Sequence, residues 1–426
     1  MALPSARPTS WRYAPGVLFA VLFGINVLNY LDRFVLPAVA SQVQTELKLS
    51  DTQLGLLGTA FLLVYAIAAV PAGTIADRGR RTRLVGVGVA FWSIATLFTG
   101  FTRSFGQLFA TRALLGIGEA TYFPPSTSLL ADSFPMARRA RIMSWWGLAS
   151  PVGIFLGFGL GGIVAASFGW RAAFFLTAGP GLILAFLVWT LREPRRGANE
   201  HLTGTEAAEA WHVIAGRILR VRTLLASILS QALAFFGLGG VSYWIPYYMG
   251  QHFGLGTAQA GVIAGGVIVL AGGVGTIAGG YLADSLLARG VGSGRLLVPA
   301  VGYLLAAPFV LFAILSGTLT TFLGLMFAAT AFLQFYSGPS TALSQDVIVP
   351  ARRARAVALS LLISHLLGDA FAPVAIGALS DALGSLQQAL LVTPLTVVAA
   401  ALVAFLGTRW VASDRAAMVR EASVSE

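Results

Sequence analysis

Long apolar segments recur along almost the whole chain, and they constrain its fold more than any other feature. A helix needs about 20 mostly apolar residues to cross the hydrocarbon core of a bilayer. Twelve segments meet this requirement: 15–42, 53–76, 83–102, 104–131, 140–166, 170–191, 222–250, 257–284, 294–315, 318–345, 354–380 and 384–412. Only 11% of the residues are charged and 57% are hydrophobic, whereas soluble domains carry about 25% charged residues. The sequence therefore predicts an all-α membrane protein with twelve transmembrane helices.

The distribution of basic residues predicts the orientation of these helices. If both termini are cytoplasmic, 23 of the 28 Lys and Arg residues fall in cytoplasmic segments. Lys48, Arg103 and Arg171 fall in loops on the opposite side of the membrane, and Arg33 and Arg112 lie inside the predicted spans. Cytoplasmic loops are typically enriched in this way. The net charge of +11 is explained by topology, so nucleic acid is not an expected partner. Arg strongly outnumbers Lys, which is typical of GC-rich bacterial genomes and favours a bacterial inner membrane.

Repeated sequence words indicate an internal duplication. The word ARRAR occurs at 137–141 and again at 351–355, and an aspartate, Asp132 or Asp346, stands six residues before each arginine pair. Two related words, GTIAD and GYLAD, end at Asp77 and Asp284. Both offsets are close to half the chain length. Parallel repeats of this kind are a transporter architecture.

The duplication predicts two six-helix halves, 1–191 and 222–426, joined by a polar linker at 192–221. Part of this linker, TEAAEAWHVIAGRIL, has the pattern of an amphipathic surface helix. We expect it to lie on the cytoplasmic side.

A few ionisable residues lie inside the predicted spans, where charges are costly and usually functional. They are Asp32, Arg33, Arg112 and Glu119 in the first half, and His365 and Asp369 in the second. Arg112 and Glu119 share a helix face with about 10 Å of rise between them, and Tyr122 lies on the same face. Asn29 and Arg33 belong to a polar stripe. Asp32 and Arg112 are expected partners at a similar depth.

These charges support two interpretations. In the functional one, Asp32 and Glu119 are proton-coupling carboxylates, because an arginine partner that changes during a transport cycle alters proton affinity. In the structural one, the residues form a satisfied buried network without transport chemistry.

The second half is mostly apolar and aromatic within the membrane. His365 and Asp369 are four residues apart, so they share a face and form either a pH-sensitive pair or a simple packing contact. Gln231 and Gln334 are the expected polar contacts of this half. Because the charges are concentrated in the first half, the pattern favours an amphipathic substrate.

Several motifs resemble one family. Twelve helices in two halves, with GTIADRGRR after the second helix, resemble the major facilitator superfamily, although the second glycine of the motif stands one position early, at Gly79. NYLDRFVLP, TRALLGIGEATYFP, FGWRAAFFLTAGPGL and SHLLGDAFAPVAIGALSD resemble its Spinster branch. The resemblance implies a proton-linked secondary transporter with the major facilitator fold. Animal relatives move sphingolipids and lysophospholipids.

The arginine words also suggest a cytoplasmic gate. A helix N-terminus carries a partial positive charge, so Asp77 is expected to cap the eleventh helix and Asp284 the fifth. The resemblance implies the first of these contacts. Asp132 and Asp346 are expected to extend the charge network, with Arg78 and Arg81 as partners of Asp132. The alternative is that the arginines only set topology.

Other function classes are disfavoured. The chain has no cysteine and only four scattered histidines, so we expect no metal site, cofactor or enzyme activity. A nucleotide-binding loop would require a Lys-Ser/Thr pair that the glycine-rich eighth helix lacks. The expected partners are protons, membrane lipids and one substrate, bound by a monomer. That substrate is either an amphipathic lipid or drug, or a small organic anion such as a sugar acid held by Arg33 and Arg112.

Overall fold

A computed structural model describes residues 14–195, 211–349 and 353–424. Helices occupy all twelve predicted spans, and these described ranges contain no β-strand. By length and composition, eleven helical segments among the described residues could cross a membrane. The prediction of an all-α membrane fold is confirmed.

The chain divides into two compact units, and unit 1 falls within residues 1–48, 60–205 and 256–265. The helices of the N-terminal part of the chain are α1 (Pro15–Ala38), α2 (Ala40–Leu47), α3 (Asp51–Arg78), α4 (Arg81–Thr99), α5 (Phe105–Ala120), α6 (Phe123–Ser133), α7 (Met136–Gly147), α8 (Ala149–Phe168) and α9 (Trp170–Thr190). The boundary between the units runs inside α3.

Unit 2 falls within residues 49–59, 206–255 and 266–426. The helices of the C-terminal part are α10 (Trp211–Ile218), α11 (Arg222–Phe253), α12 (Thr257–Ala288), α13 (Gly294–Ile314), α14 (Leu319–Leu333), α15 (Ser337–Val347), α16 (Arg353–Leu367), α17 (Ala372–Leu383), α18 (Leu386–Leu390), α19 (Val392–Gly407) and α20 (Val411–Val424). α10 lies in the predicted linker, and its Ile218 is buried against Leu224 and Ile228 of α11.

Small residues let the helices of unit 1 approach closely. α1 packs along α8, and α4 packs along α9. A Cβ atom at Gly153 would lie 2.4 Å from the carbonyl oxygen of Val27, and one at Gly157 would lie 2.7 Å from that of Leu31. Glycine is therefore needed where α8 crosses α1, as in other close membrane helix contacts.

The predicted span 104–131 is broken, which explains why it does not count as one membrane-crossing helix. α5 ends at Ala120 and α6 starts at Phe123, directly before Pro124 and Pro125. Proline has no N–H to donate to the preceding turn, so a continuous helix is disfavoured there. The break ends the regular α-helix just after Glu119 and places Tyr122 at the junction of the two helices.

A similar break occurs in the second half. A 3-10 turn at Gln334–Tyr336 separates α14 from α15, and Pro339 follows it. Tyr336 and Pro339 stand 214 residues after Tyr122 and Pro125, the offset that also separates the two ARRAR words. The helix break thus recurs at matching positions, which supports the internal duplication.

The start of α3 is held within unit 2 by the end of α17. The carboxylate of Asp381 accepts hydrogen bonds from the backbone N–H groups of Asp51, at 3.0 Å, and Thr52, at 2.8 Å. Ser380 donates to Asp51 Oδ2 over 2.5 Å. An acceptor at a helix N-terminus satisfies otherwise unpaired donors, so Asp381 caps α3.

Candidate functional site

Four charged side chains of unit 1 lie well inside the predicted spans, away from the span ends. Asp32 and Arg33 are on α1, and Arg112 and Glu119 are on α5. Only 3% of Asp32, 2% of Arg112 and none of Glu119 is exposed. The formal charges of the two acids and two bases cancel when all four are ionised. This cancellation stabilises the fold, because an unpaired buried charge costs several kcal/mol. We call these four residues the charge cluster.

An ion pair joins the two helices of the charge cluster. Arg33 Nε donates to Glu119 Oε2 over 2.8 Å. The side chain of Arg33 is 20% exposed, whereas that of Glu119 is fully buried. Glu119 Oε1 makes no hydrogen bond to the described residues. This pairing was not predicted, because it depends on the rotation of α1 relative to α5.

Three aromatic rings surround the guanidinium group of Arg33. Its Cζ lies 4.8 Å from the ring centre of Tyr65, 5.1 Å from that of Phe61 and 5.4 Å from that of Tyr30. Cation–π contacts are worth about 0.5–2 kcal/mol each, more when desolvated. The rings therefore help to keep a charged group inside an apolar helix bundle.

Asp32 faces a different part of unit 1. Its carboxyl lies beside the hydroxyl of Thr177 on α9 and the indole of Trp92 on α4. Asp32 Oδ1 makes no hydrogen bond to the described residues. Neighbouring residues on a helix point about 100° apart, so Asp32 cannot share the environment of Arg33.

Arg112 links the two carboxyl groups electrostatically. It is close enough to interact with both Asp32 and Glu119. Its Cζ also lies 5.6 Å from the ring centre of Phe61, the ring that contacts Arg33. The expected proximity of Arg112 to Asp32 is present, and Glu119 is a second neighbour.

Tyr122 belongs to a separate hydrogen-bond chain at the helix break. Its hydroxyl donates to the carbonyl oxygen of Leu22 over 2.6 Å, and Trp146 Nε1 donates to the same hydroxyl at 3.2 Å. Asn26 donates to the carbonyl oxygen of Trp146 at 3.3 Å. Tyr122 was predicted to join the charge cluster. The structure gives its hydroxyl backbone and indole partners, because the break after α5 turns the residue towards α1 and α7.

Two buried or half-buried ion pairs lie at matching positions of the two halves. Arg81 Nη1 lies 2.6 Å from Asp132 Oδ2, and Arg295 Nη1 lies 2.5 Å from Asp346 Oδ1. Both residues of the second pair stand 214 positions after those of the first. Glu193 also binds Arg81, at 2.8 Å. The predicted contact between Arg81 and Asp132 is present, whereas a gating role remains a prediction.

Other parts of the predicted gate lie outside the described residues. They are the side chains of Asp77 and Arg78 and those of the second ARRAR word at 351–355. Asp284 is exposed in α12. In the first word, Arg139 donates to the carbonyl oxygen of Ala131 at 3.0 Å.

Comparison with known proteins identifies the family. Residues 22–373 match the family model of the Major Facilitator Superfamily. The chain is 30% identical to Protein spinster homolog 1 of Xenopus tropicalis over 405 residues, which cover 87% of this chain and 74% of the relative. The chain belongs to the Spinster branch of the major facilitator superfamily. This Spinster-type protein is therefore a multi-pass membrane transporter.

Further relatives agree with this assignment. The chain is 30% identical to human Protein spinster homolog 1 over 398 residues, covering 86% of this chain and 73% of the human protein. The crystal structure of a bacterial homologue of the human lysosomal transporter Spinster, inward-facing and unoccupied, matches with a TM-score of 0.87. That match covers 95% of this chain and 99% of the other, at 26% identity. The predicted resemblance is confirmed.

The Spinster-type protein does not repeat its charge cluster in the second half. The residues 214 positions after Arg112 and Glu119 are Met326 and Leu333, and both are buried. The first-half cluster thus has apolar counterparts at these two positions.

The predicted polar residues of the second half make local contacts. His365 Nδ1 lies 2.9 Å from Asp369 Oδ2, as their spacing predicts. The His365 ring also lies 4.7 Å from that of Phe235. Gln231 donates to the carbonyl oxygen and hydroxyl of Ser227, on its own helix. Each of these contacts lies within unit 2.

Gln334 occupies the 3-10 turn between α14 and α15. Its Oε1 is buried and makes no hydrogen bond to the described residues. It is a polar group at the second-half helix break, as Tyr122 is at the first.

Phe61 and Tyr65 are site residues that sequence reasoning did not single out. They are four residues apart on α3, so they lie on one face, and both contact Arg33. This spacing was the available signal. It was weak because many aromatic residues in this chain have ordinary packing roles.

Proposed function

We propose that this Spinster-type protein is a proton-coupled secondary transporter of an amphipathic substrate. The observation that carries the proposal is the ion pair between partly exposed Arg33 and fully buried Glu119. The pair joins a fully buried carboxylate inside a predicted span to a cation that keeps some exposed surface. Charges in such positions are generally functional.

Proton coupling follows from the charge balance of the cluster. With Asp32, Arg33, Arg112 and Glu119 all ionised, the formal charges cancel. A proton on Glu119 would weaken its bond to Arg33 and leave one excess positive charge. An anionic group of the substrate would neutralise that charge, so proton uptake and substrate binding would favour each other by linkage.

The amphipathic nature of the substrate is proposed from the asymmetry between the halves. Charged residues of the first half, Arg112 and Glu119, have apolar counterparts, Met326 and Leu333, in the second. A substrate with an anionic or zwitterionic head group and an apolar body fits this distribution. Lysophospholipids, sphingolipid-like molecules and drugs have this form.

A small organic anion such as a sugar acid is the less favoured substrate. It would require Arg33 and Arg112 to supply most of the binding energy. Arg33 already has Glu119 as a hydrogen-bonded partner and three aromatic rings around its guanidinium.

Ligand-dependent proton uptake in proteoliposomes tests coupling. The wild-type protein should accumulate a lysophospholipid or a zwitterionic drug when a pH gradient is imposed. Glu119→Gln should abolish this accumulation while retaining part of ligand binding or exchange, because Gln cannot release a proton. Asp32→Asn tests the second carboxyl group in the same way.

The matched control is Glu421→Gln, which removes an exposed carboxyl group on α20 and should leave accumulation unchanged. If both Glu119→Gln and Asp32→Asn retain full pH-driven transport, proton coupling through this cluster is wrong. Sugar acids, but not lysolipids or drugs, raising the unfolding temperature would instead favour the alternative substrate.

The orientation is part of the proposal. We place both termini in the cytoplasm of a bacterial cell with the protein in its inner membrane. Because the chain has no cysteine, single cysteines introduced at Ser413 and Arg103 should be labelled from opposite sides of the membrane by an impermeant reagent. Labelling of Ser413→Cys from outside intact cells would contradict it.

A further inference from the structure

A groove lies within unit 2, which does not contain the charge cluster. Its volume is about 700 Å³, and it opens where α20 follows the apolar helix α19. The lining residues come from the loop before α13 and from the segment that leads into α20: Gly292, Ser293, Thr408, Val411, Ala412, Arg415, Ala416, Val419 and Arg420. We call it the α20 groove.

The α20 groove combines positive charge with apolar surface. Arg415 and Arg420 supply two guanidinium groups, and none of the nine lining residues is acidic. Val419 lies one turn after Arg415 on the same face of α20 and is 58% exposed, whereas Val411 is buried. This mixture suits a ligand that has both an anionic group and hydrocarbon.

The groove lies at the boundary between apolar and polar parts of unit 2. Gly407, the last residue of α19, lies beside Leu296 in the first turn of α13, because a Cβ atom at Gly407 would lie 2.7 Å from Leu296 Cδ2. The ends of two apolar helices therefore lie side by side. The α20 groove begins directly beyond them, at the ends of both apolar helices.

One arginine of the groove is positioned by the rest of unit 2. Arg415 Nη2 lies 2.9 Å from Asp346 Oδ2, and Asp346 also binds Arg295. Arg415 Nη1 lies about 4 Å from the position of a Cβ atom at Gly292, so the guanidinium reaches across the groove. The hydroxyl of Ser293 makes no capping bond to α13, and it adds a polar group at the same mouth.

We propose that the α20 groove binds the head group of an anionic phospholipid. The phosphate would contact Arg415 and Arg420, and the start of the acyl chain would lie along Val419. Basic pockets at the ends of membrane helices bind anionic lipid head groups in this way. A soluble anion would use the arginines but would gain nothing from the exposed Val419. This site is independent of the proposed transport function.

Retention of lipid by the purified full-length protein tests the proposal. The protein is reconstituted in nanodiscs of mixed phosphatidylglycerol and phosphatidylcholine, and lipids that remain bound after transfer to detergent are counted by native mass spectrometry. Wild-type protein should retain phosphatidylglycerol preferentially. Arg420→Gln should lower this retention about fivefold, as expected for one arginine near a membrane surface.

Two further variants separate a defined groove from general surface charge. Arg409→Gln removes an exposed arginine that does not line the groove, and it should retain lipid like the wild type. Ala416→Trp keeps both arginines but fills the groove, and it should lose lipid as Arg420→Gln does. Ala416 is exposed, so the larger side chain should not disturb folding.

Several results would overturn the proposal. Equal loss of lipid in Arg409→Gln and Arg420→Gln would indicate a general charge effect. Wild-type retention by Ala416→Trp, or equal retention of phosphatidylcholine, would show that the groove is not the site. Displacement of the lipid by millimolar inorganic phosphate would mean that the arginines bind a free anion.

Discussion

Arg33 Nε donates to Glu119 Oε2 over 2.8 Å, joining a partly exposed cation on α1 to a fully buried carboxylate on α5. Because Glu119 has no exposed surface, loss of its partner would leave a buried charge or force the carboxyl group to take up a proton. In the proposed mechanism, an anionic substrate that bound Arg33 would therefore favour a proton on Glu119.

The first prediction concerns the energetic coupling of this pair. Arg33→Gln alone should destabilise the protein by about 2–4 kcal/mol, because Glu119 is left without its partner. Adding Glu119→Gln should recover part of that loss. Thermal unfolding of both single variants and the double variant in detergent measures the coupling energy. Strictly additive effects would contradict a direct interaction.

The second prediction concerns Arg112. Its guanidinium is 98% buried, lies over Phe61 and interacts with two carboxyl groups. Lysine cannot reproduce a planar group with several donors. Arg112→Lys should therefore reduce transport almost as much as Arg112→Ala in the proteoliposome assay. Transport at the wild-type rate by the lysine variant would show that only the charge matters.

The third prediction separates Tyr122 from the charge cluster. Tyr122→Phe removes a buried hydroxyl that serves Leu22 and Trp146, and it should cost about 1–3 kcal/mol of stability. The apparent substrate affinity should stay unchanged in assays below the unfolding temperature. Tyr281→Phe is the matched control, because Tyr281 is 77% exposed and should change neither quantity. A large change in the apparent substrate affinity of Tyr122→Phe would instead indicate that Tyr122 contributes to substrate binding.

The fourth prediction is a pH dependence outside the membrane-spanning segments. Glu46, between α1 and α3, accepts hydrogen bonds from Arg171 at 2.5 Å and from the Trp170 indole at 2.7 Å. The Arg171 guanidinium, followed by the indole, lowers the pKa of Glu46 below its ordinary value. A lowered pKa means that the contact stabilises the fold above the unfolded-state pKa of about 4.3 and is lost as the pH falls through the folded-state value.

Glu46→Gln should therefore lower the unfolding temperature at pH 7, and this deficit should shrink as the pH falls below about 4.3. The difference should be small, about 0.2–1 kcal/mol, because Glu46 is half exposed. The wild-type protein measured at the same pH values provides the reference. A deficit that grows on acidification would have the wrong sign for this contact.

Features confined to one helix could be predicted from the sequence. The His365–Asp369 contact depends only on a spacing of four residues, and the twelve spans depend only on length and composition. The partner of Glu119 could not be predicted, because Arg33 and Glu119 are 86 positions apart and their contact depends on how α1 rotates against α5. The role of Tyr122 was missed for a related reason. The prediction placed Tyr122 on the face of Arg112 and Glu119 by assuming one continuous helix. The helix instead ends at Ala120, and Pro124 and Pro125 lie in the first turn of the next one.

The last prediction compares the two duplicated ion pairs. Arg81 and Asp132 are 3% and 8% exposed, whereas Arg295 and Asp346 are 20% and 16% exposed. Removing one partner of a buried pair costs about 3–5 kcal/mol, and an exposed pair contributes about 0.2–1 kcal/mol. Asp132→Asn should therefore lower the unfolding temperature more than Asp346→Asn, even though Asp346 also binds Arg415.

Salt distinguishes the two cases further. Mobile ions screen exposed charges much more than buried ones, so the deficit of Asp346→Asn should shrink in 0.5 M NaCl while that of Asp132→Asn persists. Thermal unfolding of both variants at low and high salt provides the measurement. If Asp346→Asn were the more damaging change at both salt concentrations, burial would not set the strength of these pairs, and the anchoring of α20 through Arg415 would be the dominant contribution.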